Sequence, residues 1–318
     1  MIAVTGGTGF IGSHLVQALR ERGETVRMLA RPRKGREAPS EVEMIPGDLR
    51  DPAAVGRLLQ GAGLVFHLAA CARAWAPDPR EFEAVNVDGT RHLLAAARAA
   101  GVKRVVHVST ELVDGEITPY QRTKRAGEQL VRDYVAAGGD AVVVRPTRVY
   151  GPGPLNPANS VTRVIAAYRR GTFRVRLADG GARANYVYVH DVVDGMLRAA
   201  ERGARGGAYL LGGENLTIPE LLDLVAQATG HRHAVIALSP SLARTLGRVC
   251  ELGGRLGIAP FITRDWVELL SSDRPQSSER AQAELGYRPR SARAGIAATV
   301  AWLGQRAISS RQSAVVSR

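Results

Sequence analysis

Apolar residues form short, nearly continuous runs over the first 145 residues, and amphipathic stretches lie between them. Such runs predict strands that are buried on both faces, and the stretches between them predict helices. The predicted strands cover residues 2–5, 25–30, 42–46, 64–69, 104–109 and 141–145. The predicted helices cover residues 11–22, 52–60, 80–100 and 119–137. We therefore expect an α/β fold with a doubly wound parallel sheet, which binds ligands beyond the carboxyl ends of its strands.

The pattern changes after residue 145, where a Gly-Pro-Gly-Pro segment at 151–154 interrupts the alternation. Because glycine and proline in this density predict a loop, we place a first domain over residues 1–150. A smaller, C-terminal substrate lobe follows over residues 151–304, with some segments returning to the first domain. We expect the Ser- and Arg-rich residues 305–318 to form a frayed tail.

One predicted helix of the lobe, over residues 241–254, has a distinctive apolar stripe. Leu242, Leu246 and Val249 recur at helical spacing with arginines between them. Such stripes usually face a core, so we expect this helix to pack on the lobe and cover the substrate. Contact with a membrane surface is the alternative.

The composition permits a hydrophobic core, because 45% of the 318 residues are apolar, and this excludes disorder as the main state. No window holds 18 uninterrupted apolar residues, so we expect no transmembrane segment. The sequence starts directly with a predicted strand, and we expect no secretory signal. Two cysteines, Cys71 and Cys250, cannot build a disulfide framework. We therefore expect a cytoplasmic protein.

The formal net charge is +13. Arginine supplies almost all of the positive charge and is spread along the whole chain, without a basic helix or an aromatic platform for bases. We therefore expect a small-molecule substrate, with anionic groups to account for local basic residues, and no nucleic acid partner.

A glycine-rich segment, Thr5 to Gly12, joins the first predicted strand to the first predicted helix. Glycine lets the backbone turn sharply and lets a pyrophosphate approach backbone N–H groups. The following helix directs its free N–H groups and positive dipole end at that phosphate. This context predicts a dinucleotide-binding loop. The cofactor-binding residues expected here are Gly6, Gly9, Phe10, Ile11 and Gly12.

The end of the second predicted strand indicates which dinucleotide binds. NAD sites carry an acid about 20 residues after the glycine loop to bind the ribose hydroxyls. Here Arg31, Arg33, Lys34 and Arg36 come first, and the first acid is Glu37. A guanidinium binds a 2′-phosphate with two hydrogen bonds, whereas a carboxylate repels it. We predict NADP(H), bound through Arg31, in preference to NAD(H); the alternative is a solvated loop that accepts either cofactor.

Tyr120 and Lys124 are four residues apart at the start of a predicted helix, so they share one face. A free tyrosine titrates near 10, and a nearby ammonium lowers that pKa by stabilising the phenolate. A shift of about 3 units, equivalent to roughly 4 kcal/mol, makes tyrosine a general acid/base at neutral pH. The chain has three lysines, so this spacing is more informative than in a lysine-rich chain. We predict that Tyr120 transfers the proton and that Lys124 lowers its pKa.

A third candidate catalytic residue, Thr110, ends the fifth predicted strand. Its hydroxyl can donate a hydrogen bond to a carbonyl or alkoxide oxygen. Alternation along a strand directs the neighbouring Ser109 to the opposite side. The alternative is that both hydroxyls satisfy strand-end backbone groups.

Together these residues resemble the short-chain dehydrogenase/reductase superfamily, in the extended branch of NAD-dependent epimerase/dehydratase proteins. The resemblance spans residues 1–303 and implies a Rossmann-type fold. It rests on the segments 5–12, 47–51, 67–70, 86–90, 120–124, 145–153 and 187–191. Residues 69–75 and 212–217 are similar to dihydroflavonol-reductase-like and hopanoid-associated epimerase-like members.

The resemblance assigns further roles. It implies cofactor contacts from Asp48 and Leu49 at the adenine, Ala69 and Ala70 at the ribose and phosphates, Lys124 at the nicotinamide ribose, and Pro146 and Val149 beside the nicotinamide. It places Thr110 at the family's active-site Ser/Thr. By analogy alone, it implies a homodimer through the helices predicted over 80–100 and 119–137.

This sequence departs from the sugar-nucleotide enzymes of the family in two places. Nine residues separate Thr110 from Tyr120, whereas those enzymes carry a much longer segment. Ala184-Asn185 stands where they tend to carry an Arg-Asp pair. The short connection resembles the atypical branch, and both departures weaken a sugar-nucleotide assignment.

The substrate-facing residues are less well indicated. We expect Trp75, Glu111, Arg148 and Asn159 to face the substrate, with simple packing or surface exposure as the alternative for each. His231 and His233 lack a third ligand nearby, so we expect no metal site.

These observations favour an NADPH-dependent oxidoreductase that acts on a ketone/secondary alcohol pair of a small organic substrate. An NDP-sugar 4-epimerase, which oxidises its substrate transiently without net cofactor turnover, is the first alternative. A non-catalytic NADP-binding sensor or assembly subunit is the second.

Overall fold

The computed structural model describes residues 1–31, 41–73, 75–76, 78–115, 118–178, 181–254 and 263–316. Strands and helices alternate through residue 146: β1 (Ile2–Thr5), α1 (Phe10–Glu21), β2 (Val26–Ala30), β3 (Val42–Pro46), α2 (Pro52–Leu59), β4 (Leu64–His67), α3 (Arg80–Glu83), α4 (Gly89–Ala99), β5 (Arg104–Val108), α5 (Pro119–Ala136) and β6 (Ala141–Pro146). The later elements are β7 (Arg148–Tyr150), α6 (Ser160–Arg169), β8 (Val175–Leu177), β9 (Arg183–Tyr188), α7 (Val189–Arg202), β10 (Ala208–Leu211), β11 (Glu214–Thr217), α8 (Ile218–Thr229), β12 (Ile236–Leu238), α9 (Pro240–Gly254), α10 (Arg264–Ser271), α11 (Glu279–Leu285) and α12 (Ala292–Val316).

The chain folds into two compact units, and the first comprises Met1–Pro146, Val192–Leu211 and Ser277–Arg288. Its centre is a seven-stranded sheet in the order β10-β6-β5-β4-β1-β2-β3, with every neighbouring pair parallel. This confirms the predicted fold class and the six predicted strands. The seventh strand, β10, was not predicted.

The strand order explains where this sheet binds ligands. β1 lies between β4 and β2, so the chain leaves β1 toward one edge of the sheet and later returns on the other side. The loops after these strands separate at this switch point and leave a crevice at their carboxyl ends. The glycine loop follows β1, Arg31 follows β2, and Ser109 and Thr110 follow β5. Parallel pairing brings all of these residues to the same edge.

The helix predicted over residues 80–100 is not uniform. α3 ends at Glu83, a π-helical turn covers Ala84–Asp88, and α4 begins at Gly89. A π turn inserts one residue into the helical repeat and shifts the side chains that follow, and such turns occur frequently at functional sites. Asn86, at the centre of this turn, is 2% exposed.

The second unit comprises Thr147–Asp191, Gly212–Gln276 and Pro289–Arg318. It contains a three-stranded sheet, β11-β9-β7, and a two-stranded sheet, β12-β8. Helices α6, α8 and α12 contribute Ile165, Val225 and Ile296 to its core. α12 ends at Val316, so most of the segment expected to fray is helical. That segment contains neither glycine nor proline, the residues that most readily end a helix.

Within the first unit, a buried carboxylate joins α5 to the sheet. Glu128, 2% exposed, accepts hydrogen bonds from both arms of the Arg145 guanidinium on β6, at 2.9 and 2.6 Å. The more exposed Arg132 approaches the same carboxylate at 3.7 Å. Removing one partner of a buried pair leaves an uncompensated charge, whereas exposed pairs contribute little.

We therefore expect Arg145→Gln to lower the free energy of unfolding by about 3 kcal/mol. Arg132→Gln, which removes an arginine from the same carboxylate at the surface, should lower it by less than about 1 kcal/mol. Urea denaturation of both variants measures this difference. Equal losses would contradict the assignment of Arg145 as the partner that stabilises the buried charge.

Candidate active site

The glycine loop lies against the segment that follows β4. Gly6 has φ +73°, and a Cβ there would lie 2.6 Å from the backbone nitrogen of Ala69. A Cβ on Gly12 would lie 2.2 Å from the Gly6 carbonyl oxygen. Both positions therefore require glycine, for close approach and, at Gly6, for a left-handed backbone. The loop and the Ala69–Ala70 segment, both expected to bind the cofactor, are brought together.

The start of α1 has the features of an anion-binding site. Gly9 is the N-cap and contributes no side-chain hydrogen bond, and no acidic residue lies in the first turn. The first N–H groups of a helix have no partner within the helix, and the positive dipole end favours negative charge. These residues fit the pyrophosphate of a dinucleotide. Phe10 and Gly12 are buried, and Ile11 is half-buried.

The segment after β3 presents the Asp48 carboxylate beside Arg50. Arg50 donates to Asp48 at 2.8 and 3.0 Å, and this bond is the main reason that the pKa of Asp48 is lowered. The positive charge of Arg31, which is exposed at the end of β2, contributes in the same direction. Leu49 is buried, and a Cβ on Gly89 would lie 2.6 Å from its side chain. Arg33, Lys34 and Arg36 lie outside the described residues.

Tyr120 is the second residue of α5. The helix begins with a capping box in which Thr118 accepts from the backbone N–H of Gln121 while the Gln121 side chain accepts from the backbone N–H of Thr118. Gln121, fully buried, also donates to the Leu112 carbonyl at 3.2 Å. The short 3₁₀ helix Glu111–Asp114 is thereby joined to the start of α5.

The phenol of Tyr120 is protonated at neutral pH. The residue is half-buried, and burial around its hydroxyl raises the pKa to about 12. A hydrogen bond with the Thr110 side chain opposes this shift, while the negative charge of Glu111 and the nearby Cys71 reinforce it. The direction is opposite to the predicted lowering, because desolvation of the phenolate outweighs the favourable contacts.

Thr110 has a hydroxyl proton available. Its Oγ1 accepts from the backbone N–H of Leu112 at 3.3 Å, as N-cap of the 3₁₀ helix. Since a hydroxyl both donates and accepts, the Thr110 proton is left for Tyr120 or for a substrate oxygen. Ser109 is buried, and its hydroxyl has no partner among the described residues.

Lys124 lies one turn after Tyr120 and is 3% exposed. Its ammonium donates to the carbonyl oxygen of Val108, the last residue of β5, at 2.7 Å. Burial lowers the pKa of Lys124 to about 8, and the negative charge of Glu128 partly opposes this. The amine therefore still carries its proton at neutral pH and changes charge just above it.

A buried polar network, which no sequence motif predicted, lies beside this lysine. The Nδ1 of His67 contacts the Thr5 hydroxyl at 2.7 Å, and its Nε2 contacts the Thr90 hydroxyl at 3.1 Å. Thr90 donates its proton to the Asn86 carbonyl, so it accepts from Nε2–H of His67. These hydrogen-bond directions fit a neutral His67 imidazole that carries its proton on Nε2. Burial, reinforced by the charge of Lys124, lowers the pKa of His67 to about 3.

Asn86 connects three segments of the site. Its side-chain oxygen accepts from the backbone N–H of Cys71 at 2.8 Å, and its amide donates to Thr123 at 3.0 Å. The Thr123 hydroxyl in turn donates to the carbonyls of Pro119 and Tyr120. The π-helical turn therefore positions both the cofactor-side segment after β4 and the start of α5. The sequence signal that could have indicated Asn86 was its polar side chain within the apolar pattern of the helix predicted over residues 80–100.

His107 on β5 is 1% exposed, and neither ring nitrogen has a hydrogen-bond partner among the described residues. Its ring centroid lies 5.2 Å from that of His67. Burial, then the charge of Lys124, lowers the pKa of His107 well below its ordinary value. A neutral imidazole avoids placing a second positive charge beside the buried ammonium.

The remaining predicted substrate residues fall in different places. Trp75 is half-buried in the first unit, and Glu111 lies close enough to Tyr120 to raise its pKa. In the second unit, the guanidinium of Arg148 lies 5.8 Å from the centre of the Tyr186 ring. Fully buried Asn159 donates to the Gly151 carbonyl at 3.3 Å and holds that loop.

The other expected cofactor residues also divide between the units. Pro146, the last residue of β6, is buried in the first unit. Val149 belongs to the second, where it pairs with Val187 of β9. Among the described residues, no cluster of three His, Cys, Asp or Glu side chains could hold a metal ion. Nor does the described part of the chain include a helix that is long and apolar enough to cross a membrane.

Comparisons with known proteins show the family of the chain. A model of the NAD dependent epimerase/dehydratase family matches residues 2–212. The chain is 34% identical to sterol demethylase protein B of Methylococcus capsulatus, over 95% of this chain and 98% of that protein. It is 32% identical to 2-alkyl-3-oxoalkanoate reductase of Stenotrophomonas maltophilia, over 91% and 94%. A solved structure of UDP-glucose 4-epimerase from Thermus thermophilus with NAD matches with a TM-score of 0.73 and 29% identity, over 95% and 98%.

The lowered pKa of Lys124 can be measured directly. Because the chain has three lysines, protein labelled with ¹³C-lysine gives few ε-methylene signals, and Lys124→Arg identifies the one of interest. We expect that signal to titrate with a pKa of about 8. Exposed Lys103 provides the comparison within the same sample. A Lys124 signal that titrates at its ordinary value of 10.5 would contradict the burial argument.

Proposed function

The chain belongs to the NAD-dependent epimerase/dehydratase family, and we propose that this member is an NADPH-dependent reductase of a ketone on a small organic substrate. The observation that supports the proposal most is the protonated phenol of Tyr120, hydrogen-bonded to Thr110 at the carboxyl edge of the sheet. A neutral acid beside a hydroxyl donor suits the protonation of an oxygen on which negative charge develops.

Each residue has a defined part in the proposed reaction. NADPH, when bound, would supply the hydride for the carbonyl carbon. As the C=O π electrons move to oxygen, Tyr120 donates its proton to that oxygen, and the product is a secondary alcohol. Thr110 donates a hydrogen bond to the same oxygen, since its own lone pair accepts from Leu112. The phenolate left on Tyr120 regains a proton from solvent, and Lys124 would hold the nicotinamide ribose.

The proposed cofactor site consists of the glycine loop, Arg31, Asp48–Leu49 and Ala69–Ala70. We prefer NADP(H) because Arg31 stands where NAD sites carry an acid. Residues 1–150 would bind the cofactor and residues 151–304 most of the substrate. The proposal also includes a cytoplasmic homodimer through α4 and α5, by family analogy.

The relatives favour a ketone that carries an apolar group. One is named as a reductase of a 2-alkyl-3-oxoalkanoate and another as a sterol demethylase protein. The epimerase remains the second candidate, because the similar Thermus structure is a UDP-glucose 4-epimerase. The short connection of nine residues between Thr110 and Tyr120 disfavours it. A sensor without catalysis would bind NADPH and turn over neither substrate class.

Tyr120→Phe removes the proposed acid, and we expect kcat/KM for NADPH-dependent reduction of a responsive ketone to fall by about 10²- to 10⁴-fold. Thr110→Val should cost about 10²-fold, because it removes the second donor. Tyr134→Phe deletes a phenol hydroxyl from the same helix and should leave the rate unchanged.

A panel of alkyl ketones followed at the NADPH absorbance band gives these rates. UDP-glucose and UDP-galactose, assayed for interconversion, test the epimerase. Interconversion of the UDP-sugars without net NADPH consumption would contradict the reductase. Tight NADPH binding without turnover, unchanged in Tyr120→Phe, would support the sensor instead.

Arg31→Ala tests the cofactor preference. A charge-assisted hydrogen bond contributes about 1.5–3 kcal/mol, so we expect KM for NADPH to rise by about 10- to 100-fold. KM for NADH, which lacks the 2′-phosphate, should change by less than about twofold. A wild-type preference for NADH that survives Arg31→Ala would exclude the proposed role of this residue.

A further inference from the structure

The exposed large apolar side chains of the described residues are concentrated in one part of the second unit. They lie on the paired strands β8 and β12 and on α9, which follows β12 after one residue. Their exposed fractions are 49% for Val175, 69% for Ile236, 56% for Leu242, 46% for Leu246 and 60% for Val249. Scattered exposed apolar residues are normal on a soluble protein, but a concentration of this kind indicates an interaction surface.

α9 presents its larger apolar residues outward. Leu242, Leu246 and Val249 follow a spacing of four and three, so they share one exposed face. The buried positions one residue later, Ala243 and Gly247, are small. This corrects the expectation that the leucine stripe packs on the lobe. Small residues let a neighbouring helix approach closely, and α9 does pack against α10.

The same segments are basic. Residues 171–178 and 231–254 contain five arginines and one acid, Glu251. Arg232 pairs with Asp223 of α8, and Arg244 lies 3.5 Å from Glu268 of α10. Arg174 and Arg248 are exposed beside the apolar residues. Arginine alternating with leucine and valine along one helix combines insertion into an apolar layer with attraction to anions.

We propose that this surface, called here the α9 face (Val175, Ile236, Leu242, Leu246, Val249 and the arginines between them), docks on an anionic phospholipid bilayer. α9 lies in the plane of the interface. Its leucines and valine enter the acyl boundary, and its arginines bind headgroup phosphates. Charge complementarity favours this occupant over a second copy of the chain, because two copies of a face with net positive charge repel each other.

The docking does not depend on the proposed reductase activity. A surface with only a few apolar side chains binds lipid weakly unless a second, electrostatic signal adds to it. Both signals are therefore required, and the binding should be reversible and sensitive to salt.

Co-sedimentation with large unilamellar vesicles tests the proposal on the full chain. We expect binding to vesicles of phosphatidylcholine mixed with phosphatidylglycerol, little binding to phosphatidylcholine alone, and release by high salt. Leu242→Gln combined with Leu246→Gln should lower the partition coefficient by at least about tenfold. Glutamine retains helix propensity, and both side chains are exposed, so circular dichroism should give an unchanged melting temperature.

The charge component has a matched control. Arg174→Gln with Arg248→Gln should weaken partitioning by about 25-fold, since each arginine near an anionic surface contributes about fivefold. Arg91→Gln with Arg132→Gln removes the same net charge from α4 and α5 and should leave partitioning within about threefold of wild type. These measurements need no substrate or cofactor, so they succeed or fail independently of the enzymatic assays.

Three outcomes would overturn the proposal. The first is no binding to the anionic vesicles. The second is binding that the two leucine substitutions leave unchanged. The third is a concentration-dependent dimer without lipid that the leucine substitutions abolish, because this would assign the α9 face to a second copy of the chain.

Discussion

The hydrogen bond from the Lys124 ammonium to the Val108 carbonyl is the contact on which the candidate site depends. A charged amine that is 3% exposed has lost most of its hydration, and the 2.7 Å bond replaces part of it. The bond joins α5 to the last residue of β5. Tyr120 lies one turn before Lys124, and Thr110 lies two residues after Val108, so this contact brings the phenol to the hydroxyl. The same charge requires its neighbours to be neutral, and the lowered pKa values of His67 and His107 meet that requirement.

The first half of the fold was predictable because its signals are local. Strands buried on both faces appear as apolar runs, and a glycine loop between a strand and a helix indicates a phosphate site wherever that context holds. β10 was missed because Ala208–Leu211 is a four-residue run that joins the sheet by pairing with β6, more than sixty residues earlier. The π turn at Ala84–Asp88 was missed because one inserted residue barely alters hydrophobic periodicity.

The identity of the candidate catalytic residues was predictable from the sequence, but the direction and size of their pKa shifts were not. The spacing of Tyr120 and Lys124 places both on one helix face. The extent to which water is excluded from that face depends on segments that are distant in the chain. Thr5, Asn86 and Thr90 order the imidazole of His67 beside the lysine, and no local pattern relates them. The helical end of the chain and the burial pattern of α9 were likewise not predictable from nearby residues. In α9, nothing in the sequence near Leu242 indicates that Ala243 and Gly247 are the buried positions.

The raised pKa of Tyr120 also bears on the pH dependence of the reaction. With a pKa of about 12, roughly one phenol in 10⁵ is ionised at pH 7. Reduction of a ketone begins with the protonated phenol, which is almost the whole population. Oxidation of an alcohol, the first half of a 4-epimerisation, requires the phenolate as base. Because the two directions share one transition state, the ionisation of the phenol changes how each rate depends on pH, while their ratio follows the overall equilibrium. The neutral phenol is thus the form that begins a reduction, and the short connection that precedes it remains the feature that disfavours the epimerase.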